Sequence, residues 1–168
     1  MYDFIKDDFH YKEDVIILRG FIINKAISIE VIIDRLIVFY YHKDDPLKGN
    51  KFHDDILRHT NWQPKMALLK KVLLHFDTNE VIKSRKKLFK LLKAIIDLRN
   101  SVAHHQWSRI WKDGVHFKSK KLTSEFHISE KLVSQYIDDC IKATTILNVI
   151  LDEIGYFEHL VNLLKNEK

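Results

Sequence analysis

Turn-forming residues are scarce in this chain, and their scarcity is the feature that most constrains its fold. The 168 residues include only 4 glycines and 2 prolines. All-β sandwiches and barrels need many tight turns, and such turns usually carry glycine or proline. The sequence therefore predicts an all-α fold built from a few long helices.

The composition is typical of one folded domain with a hydrophobic core. Hydrophobic residues make up 46% of the chain and charged residues 30%, which excludes the disordered class. The net charge of +5 suits an anionic partner but equally serves solubility. No repeat or linker divides the sequence, so we expect a single domain over residues 1–168.

Three features favour a cytoplasmic protein without a membrane partner. Cys140 is the only cysteine, so no intrachain disulfide is possible, and it lies in an apolar pattern where it should pack in the core. The longest apolar stretch carries too much charge for a membrane span, and the acidic N-terminal segment lacks a signal-peptide pattern. The charged residues within that stretch are Arg19, Lys25, Glu30, Asp34 and Arg35.

The helical and turn signals predict a series of helices joined by short connections. A first helix over residues 13–41 is apolar around nearly its whole circumference, so we expect it to be buried on several sides. A loop should follow with Pro46 and Gly49 as breakers, then a short helix near residues 54–58. Pro64 suits the first turn of the next helix.

The second half of the chain combines two long helices with a small insertion. Thr78 is a candidate N-cap for the third long helix. The Asp113-Gly114 pair between two aromatic-rich runs predicts a β-hairpin over residues 106–120. Ser129 should cap another long helix, which Gly155 ends before a last helical segment.

A helical wheel of residues 83–105 separates an apolar face from a basic one. Asn100 and His104 are four residues apart, so they share a face that continues the basic stripe. Arg99 instead projects from within the apolar sector. The apolar face comprises Leu88, Leu91, Leu92, Ile95, Leu98 and Val102. The basic stripe, a candidate RNA-binding surface, comprises Lys83, Lys86, Lys87, Lys90 and Lys93.

Arg99 is the anomaly of the sequence, because a guanidinium is costly to bury without a partner. It needs a carboxylate, a cleft or an interface. Glu30 and Asp34 are four residues apart among the isoleucines of the first helix, so the three side chains suggest an internal polar cluster. A purely structural ion pair is the alternative, and the two acids could also extend into solvent.

The run from Arg99 to His104, with the letters RNSVAH, resembles the signature of the HEPN (higher eukaryotes and prokaryotes nucleotide-binding) domain family. That signature has an arginine, a polar residue and, after a few variable residues, a histidine near the end of the third core helix. The helix order is similar over most of the chain and implies a HEPN-like four-to-five-helix up-down bundle, whereas the hairpin departs as an insertion. His105 would lengthen the motif by one residue, but His104 shares a face with Asn100.

The resemblance implies a homodimer in which two motif-bearing helices form one composite RNA-cutting site without a metal. It assigns catalysis to Arg99, Asn100 and His104. From the residue pattern we expect Glu30, Asp34 and His105 to form a supporting polar cluster. The resemblance also implies a bacterial toxin or abortive-infection effector, with a nucleotidyltransferase-type antitoxin as a further partner. The chemistry fits, because imidazole transfers protons near neutral pH and guanidinium stabilises phosphorane charge.

Several alternatives stay open. A non-catalytic HEPN-like dimer would use the same surface to bind nucleotide, RNA or a partner protein. The lysine stripe could be an ordinary solvated face, and His104 could complement the helix dipole. Other chemistries lack their motifs: the chain has no paired cysteines, no His-Glu-x-x-His, no glycine-rich phosphate loop and no Gly-x-Ser-x-Gly elbow. We therefore expect neither a metal nor a cofactor.

Overall fold

The computed structural model describes residues 11–76, 79–111, 114–118 and 125–166, and it confirms an all-α fold with a small β insertion. Within these ranges the chain forms six α-helices, a short 3-10 helix and three strands. The α-helices are α1 (Tyr11–His42), α2 (Pro46–Asp55), α3 (Trp62–Leu74), α4 (Asn79–His104), α5 (Glu130–Glu153) and α6 (Tyr156–Asn166).

The segment expected to form a loop after α1 is mostly helical, so that prediction was wrong. Pro46 starts α2, where its missing N–H would have had no helical partner. Asp45 is the N-cap, and its side chain accepts a 3.1 Å hydrogen bond from the Lys48 backbone N–H. Gly49 is buried inside α2, where an added Cβ would meet Val38 Cγ1 at 3.0 Å. The supposed breakers thus serve to start the helix and to let it pack closely.

The predicted hairpin is present, and a third strand extends it. Strands β1 (Gln106–Trp111) and β2 (Gly114–Lys118) pair antiparallel. Strand β3 (Glu125–Ile128) pairs antiparallel with β2, which gives the order β1-β2-β3 and was not predicted. Asp113, expected in the hairpin turn, and Thr78, expected to cap α4, lie outside the described residues.

Both ends of α5 follow the prediction. Ser129 Oγ accepts a hydrogen bond from the Leu132 backbone N–H at 3.2 Å, which satisfies a free donor of the first turn. Gly155 has φ +79°, a left-handed conformation that glycine adopts without steric cost. The chain turns there, and α6 begins at Tyr156.

Contacts divide the chain into two units. The first unit takes its described residues from Met1–Ile27 and Lys93–Cys140, which include the start of α1, the end of α4, the sheet and the start of α5. The second unit takes them from Ser28–Leu92 and Ile141–Lys168. Helices α1, α4 and α5 contribute residues to both units, and the single domain stays a prediction.

The first unit has a small core that α5 completes. Ile22 of α1 and Ile95 and Val102 of α4 are fully buried. Tyr136 of α5 is also buried, and its hydroxyl donates a 2.7 Å hydrogen bond to the Ile22 carbonyl oxygen. Removing each large apolar side chain from water contributes about 1.5–3 kcal/mol, and the hydrogen bond satisfies the polar end of the tyrosine.

The second unit is the larger apolar assembly. Ile33 and Leu36 of α1, Leu69 of α3 and Leu147 of α5 are fully buried. Leu88 and Leu92 of α4 are buried too, and with Ile95 and Val102 in the first unit they confirm most of the predicted apolar face of α4. The other two residues of that face, Leu91 and Leu98, are half-buried.

Helix α1 is not buried around its whole circumference, contrary to expectation. Ile16 is 67% exposed, and Ile17, Ile27 and Val31 are exposed as well. The side of α1 that carries these apolar residues therefore lacks a covering element among the described residues. Separately, none of the helices described is both long and apolar enough to cross a lipid bilayer.

Candidate functional site

The candidate site lies at the carboxyl-terminal end of α4, in the first unit. Arg99 and Asn100 are half-buried, whereas His104, the last residue of α4, is exposed. Arg99 Nη1 donates a 2.9 Å hydrogen bond to Asn100 Oδ1. The helix therefore presents a guanidinium, an amide and an imidazole within two turns, and the guanidinium and amide are in direct contact.

The partner of Arg99 is the side-chain amide of Asn100. A structural ion pair would instead require a carboxylate. The Nε atom of Arg99 is buried without a hydrogen-bond partner, and among the described residues no carboxylate forms an ion pair with its guanidinium. A neutral amide compensates the buried charge only in part. Arg99 thus keeps capacity to bind an anion.

Tyr136 is a buried residue of the same unit as Arg99. Burial raises the pKa of the Tyr136 hydroxyl far above its usual value, and the neighbouring Cys140 raises it further. The positive charge of Arg99 acts in the opposite direction, because it favours the ionised form of that hydroxyl. Burial likewise raises the pKa of the Cys140 thiol. Both groups stay protonated at neutral pH, so neither supplies Arg99 with an anionic partner.

His105 has different surroundings from His104. The His105 Nδ1 atom lies 2.7 Å from the Ser101 carbonyl oxygen, so Nδ1 carries the proton and donates it. The ring also packs edge-on against Phe126, with 5.2 Å between the centroids. His105 is therefore occupied locally, whereas His104 is exposed for chemistry. The supporting role of His105 stays a prediction.

Arg19 of α1 is a residue that the sequence reasoning did not place at this site. Its Nη2 atom donates to the Ala103 carbonyl oxygen at 2.8 Å and to the His105 carbonyl oxygen at 3.3 Å. The available signal was a permanent cation inside the apolar stretch of α1, which needed a buried acceptor as much as Arg99 did.

The predicted basic stripe is exposed where the structure describes it. Lys86, Lys87, Lys90 and Lys93 of α4 are all exposed, and Lys93 forms an ion pair with Asp97 one turn later. The side chain of Lys83 lies outside the described residues. The exposed ammonium groups are positioned for solvent or for an anionic partner.

Glu30 and Asp34 form a buried polar cluster, but their cation is not Arg99. Lys65 of α3 donates to Glu30 Oε1 at 2.7 Å and to Asp34 Oδ2 at 2.8 Å, all within the second unit. The Lys65 side chain is 2% exposed. The expected Arg99 partnership was wrong, because a helical wheel predicts a buried face but not which helix lies opposite.

Lys65 also carried a signal that was missed. It precedes Leu69 by four residues and Val72 by seven, and all three are buried on one face of α3. A lysine at a core-facing position requires carboxylate partners. The acids at positions 30 and 34 were the matching half of that pattern.

Asp34 is the most perturbed carboxyl of this cluster. Burial raises its pKa, while the hydrogen bond and charge of Lys65 lower it by less. Asp34 Oδ1 is buried without a partner among the described residues, and His53 Nε2 lies 3.9 Å from Oδ2. Asp34 also lines an open groove of about 390 Å³ in the second unit.

The described side chains contain no group of three His, Cys, Asp or Glu residues arranged to hold a metal ion. Comparison of the chain with protein-family models, with curated proteins and with solved structures finds no match.

Proposed function

We propose that the protein is a metal-independent endoribonuclease that acts as a homodimer, with Arg99, Asn100 and His104 as its catalytic residues. The observation that carries the proposal is that the half-buried Arg99 guanidinium has no anionic partner among the described residues. The guanidinium lies on a core-facing helix and contacts an amide, with Nε unpartnered. A phosphate group would supply the anion that this guanidinium lacks.

The chemistry proceeds by attack of the ribose 2′-oxygen on the adjacent phosphorus. His104 takes the 2′-hydroxyl proton as the new P–O bond forms, and the bond from phosphorus to the 5′-oxygen breaks. The protonated imidazole of the second His104 in the dimer delivers a proton to the departing 5′-oxygen. Arg99 stabilises the charge that develops on the phosphorane, and Asn100 orients Arg99 through their hydrogen bond. The products carry a 2′,3′-cyclic phosphate and a 5′-hydroxyl.

A dimer supplies what one motif lacks. One chain offers one His104, whereas the reaction needs a base and an acid at the same moment. Two-fold symmetry brings two copies of each motif residue to a shared site. The exposed apolar residues Ile16 and Ile17 of α1 belong to the unit that carries the motif, and an apolar surface of this kind supports a protein partner.

The biological part of the proposal rests on the resemblance of RNSVAH to the HEPN signature. Under it the chain is a HEPN-type toxin or abortive-infection effector of the cytoplasm, and an antitoxin of the nucleotidyltransferase type is its inhibitor. Arg99 to His104 support this through their motif spacing and their position at the end of a long helix.

The test is cleavage of a structured RNA in excess EDTA. The His104→Ala variant should cleave at least about 100-fold more slowly than wild type, because it loses general acid–base catalysis. His59→Ala is the matched control, since His59 is exposed but lies in the second unit, and it should cleave like wild type. A 2′-deoxy substitution at the cut site should abolish cleavage.

Two results would refute the nuclease. One is no cleavage by the wild-type protein, and the other is equal cleavage by wild type and His104→Ala. RNA binding by both proteins without cleavage would instead support the non-catalytic alternative.

A further inference from the structure

Arg19 contacts the last turn of α4 from a position 84 residues earlier in the chain. Its two hydrogen bonds go to the carbonyl oxygens of Ala103 and His105, at 2.8 Å and 3.3 Å. These are the residues directly before and after His104. A single guanidinium nitrogen therefore holds the backbone on both sides of the exposed imidazole.

This end of the helix needs such a contact. The last four carbonyl groups of an α-helix have no partner within the helix, and the final turn frays when nothing else binds them. A cation at this end also complements the negative pole of the helix dipole. Both hydrogen bonds of Arg19 are partly buried, so water competes for them less than at an open surface.

The residue after the motif is fixed as well. The His105 backbone N–H donates to the Ser101 carbonyl oxygen at 3.1 Å, and the His105 ring packs against Phe126 of β3. The chain thus leaves α4 along one defined path. Arg19 adds to these local contacts two hydrogen bonds that come from another helix.

We infer that Arg19 is a positioning residue for His104. It does not touch RNA in this inference. It acts by fixing the backbone from which the imidazole projects, so that the ring keeps its direction relative to the scissile phosphate. The inference rests on the proposed function of His104, and positioning errors of about 1 Å cost about 100-fold in rate.

The test combines amide hydrogen exchange with cleavage kinetics in the Arg19→Met variant. Methionine keeps much of the apolar stem but removes both hydrogen bonds. Exchange in the peptide covering residues 102–106 should become at least about 10-fold faster, because the final turn opens more often. Cleavage kcat should fall about 10- to 100-fold with KM within about twofold, because RNA contacts are unchanged.

Two further variants separate positioning from general stability. Arg19→Lys keeps a cation that binds one carbonyl well, so it should restore part of kcat and part of the protection from exchange. Arg35→Met removes an exposed guanidinium from the same helix, in the second unit. It should leave both exchange at residues 102–106 and kcat unchanged.

Each outcome decides the inference. Unchanged exchange in Arg19→Met overturns it, as does faster exchange with unchanged kcat. A parallel loss of kcat and of global stability, equal in Arg19→Lys and Arg19→Met, also overturns it. If wild-type protein does not cleave RNA, the proposed function fails and the catalytic part of the inference fails with it. Faster local exchange in Arg19→Met would then still support the backbone anchor.

Discussion

Removing the charge of Lys65 leaves two carboxylates in the interior of the second unit without a cationic partner. Asp34 has a side chain 7% exposed, and Glu30 has one 22% exposed. Lys65→Met keeps most of the volume but leaves both acids without their cation. We expect the free energy of unfolding to fall by about 3–5 kcal/mol, because breaking a buried ion pair costs far more than an exposed one. Urea denaturation at neutral pH measures the change.

The matched control is Lys93→Met, which breaks an ion pair on the surface of α4. The side chains of Lys93 and Asp97 are 77% and 62% exposed. Its loss should change the free energy of unfolding by less than about 0.5 kcal/mol. A Lys65→Met effect as small as that of Lys93→Met would contradict the role assigned to the buried cluster.

The sequence indicated which charged residues would be buried more often than it indicated which residues they would contact. Arg99 stood out because a guanidinium occupied an apolar helix face, and Glu30 and Asp34 stood out for the same reason. The pairs could not be assigned, because charge complementarity allows any buried acid to match any buried cation. Only the fold decided that α3 supplies the cation of the two acids and that Arg99 contacts an amide.

At the scale of helices and strands, periodicity predicted the long elements well. Helix α1 was expected over residues 13–41 and spans Tyr11–His42, and the ends of α5 lie where Ser129 and Gly155 indicated. The short helix α2 was missed for a local reason. Pro46 at the first position of a helix favours the helix, and the same proline further along would break it.

The basic stripe of α4 carries a prediction of its own. Replacing Lys86, Lys90 and Lys93 by glutamine in one variant should weaken RNA binding. It should also reduce the magnitude of the slope of log binding constant against log salt concentration by about 2, because each phosphate contact releases counterions. Filter binding of a single-stranded RNA between low and moderate salt measures the slope.

A control must remove the same charge elsewhere, so that net charge alone cannot explain the result. Three exposed lysines of α2 and α3 serve this purpose: Lys51, Lys70 and Lys71. Their joint replacement should leave the slope close to that of wild type. Equal slopes for the two triple variants would remove the stripe from the RNA site.

For the whole molecule, the proposed dimer makes a quantitative prediction about mixtures. Equal amounts of wild-type and His104→Ala chains, allowed to exchange subunits, should retain about a quarter of the wild-type activity, because only homodimers of wild-type chains hold two imidazoles. Chains that act alone would retain half. A mixture of wild type with His59→Ala should keep full activity, and a value of half in the first mixture would contradict a shared site.

The hydrogen bond from Tyr136 to the Ile22 carbonyl joins residues 114 positions apart. On the ribosome, Ile22 is made first and waits for its partner for roughly 6–23 seconds at ordinary rates of synthesis. Once the first helix has left the ribosomal exit tunnel, its apolar residues stay uncovered until α5 is available to pack against them. Slowing translation after the first helix lengthens this interval, so it should lower the yield of intact protein.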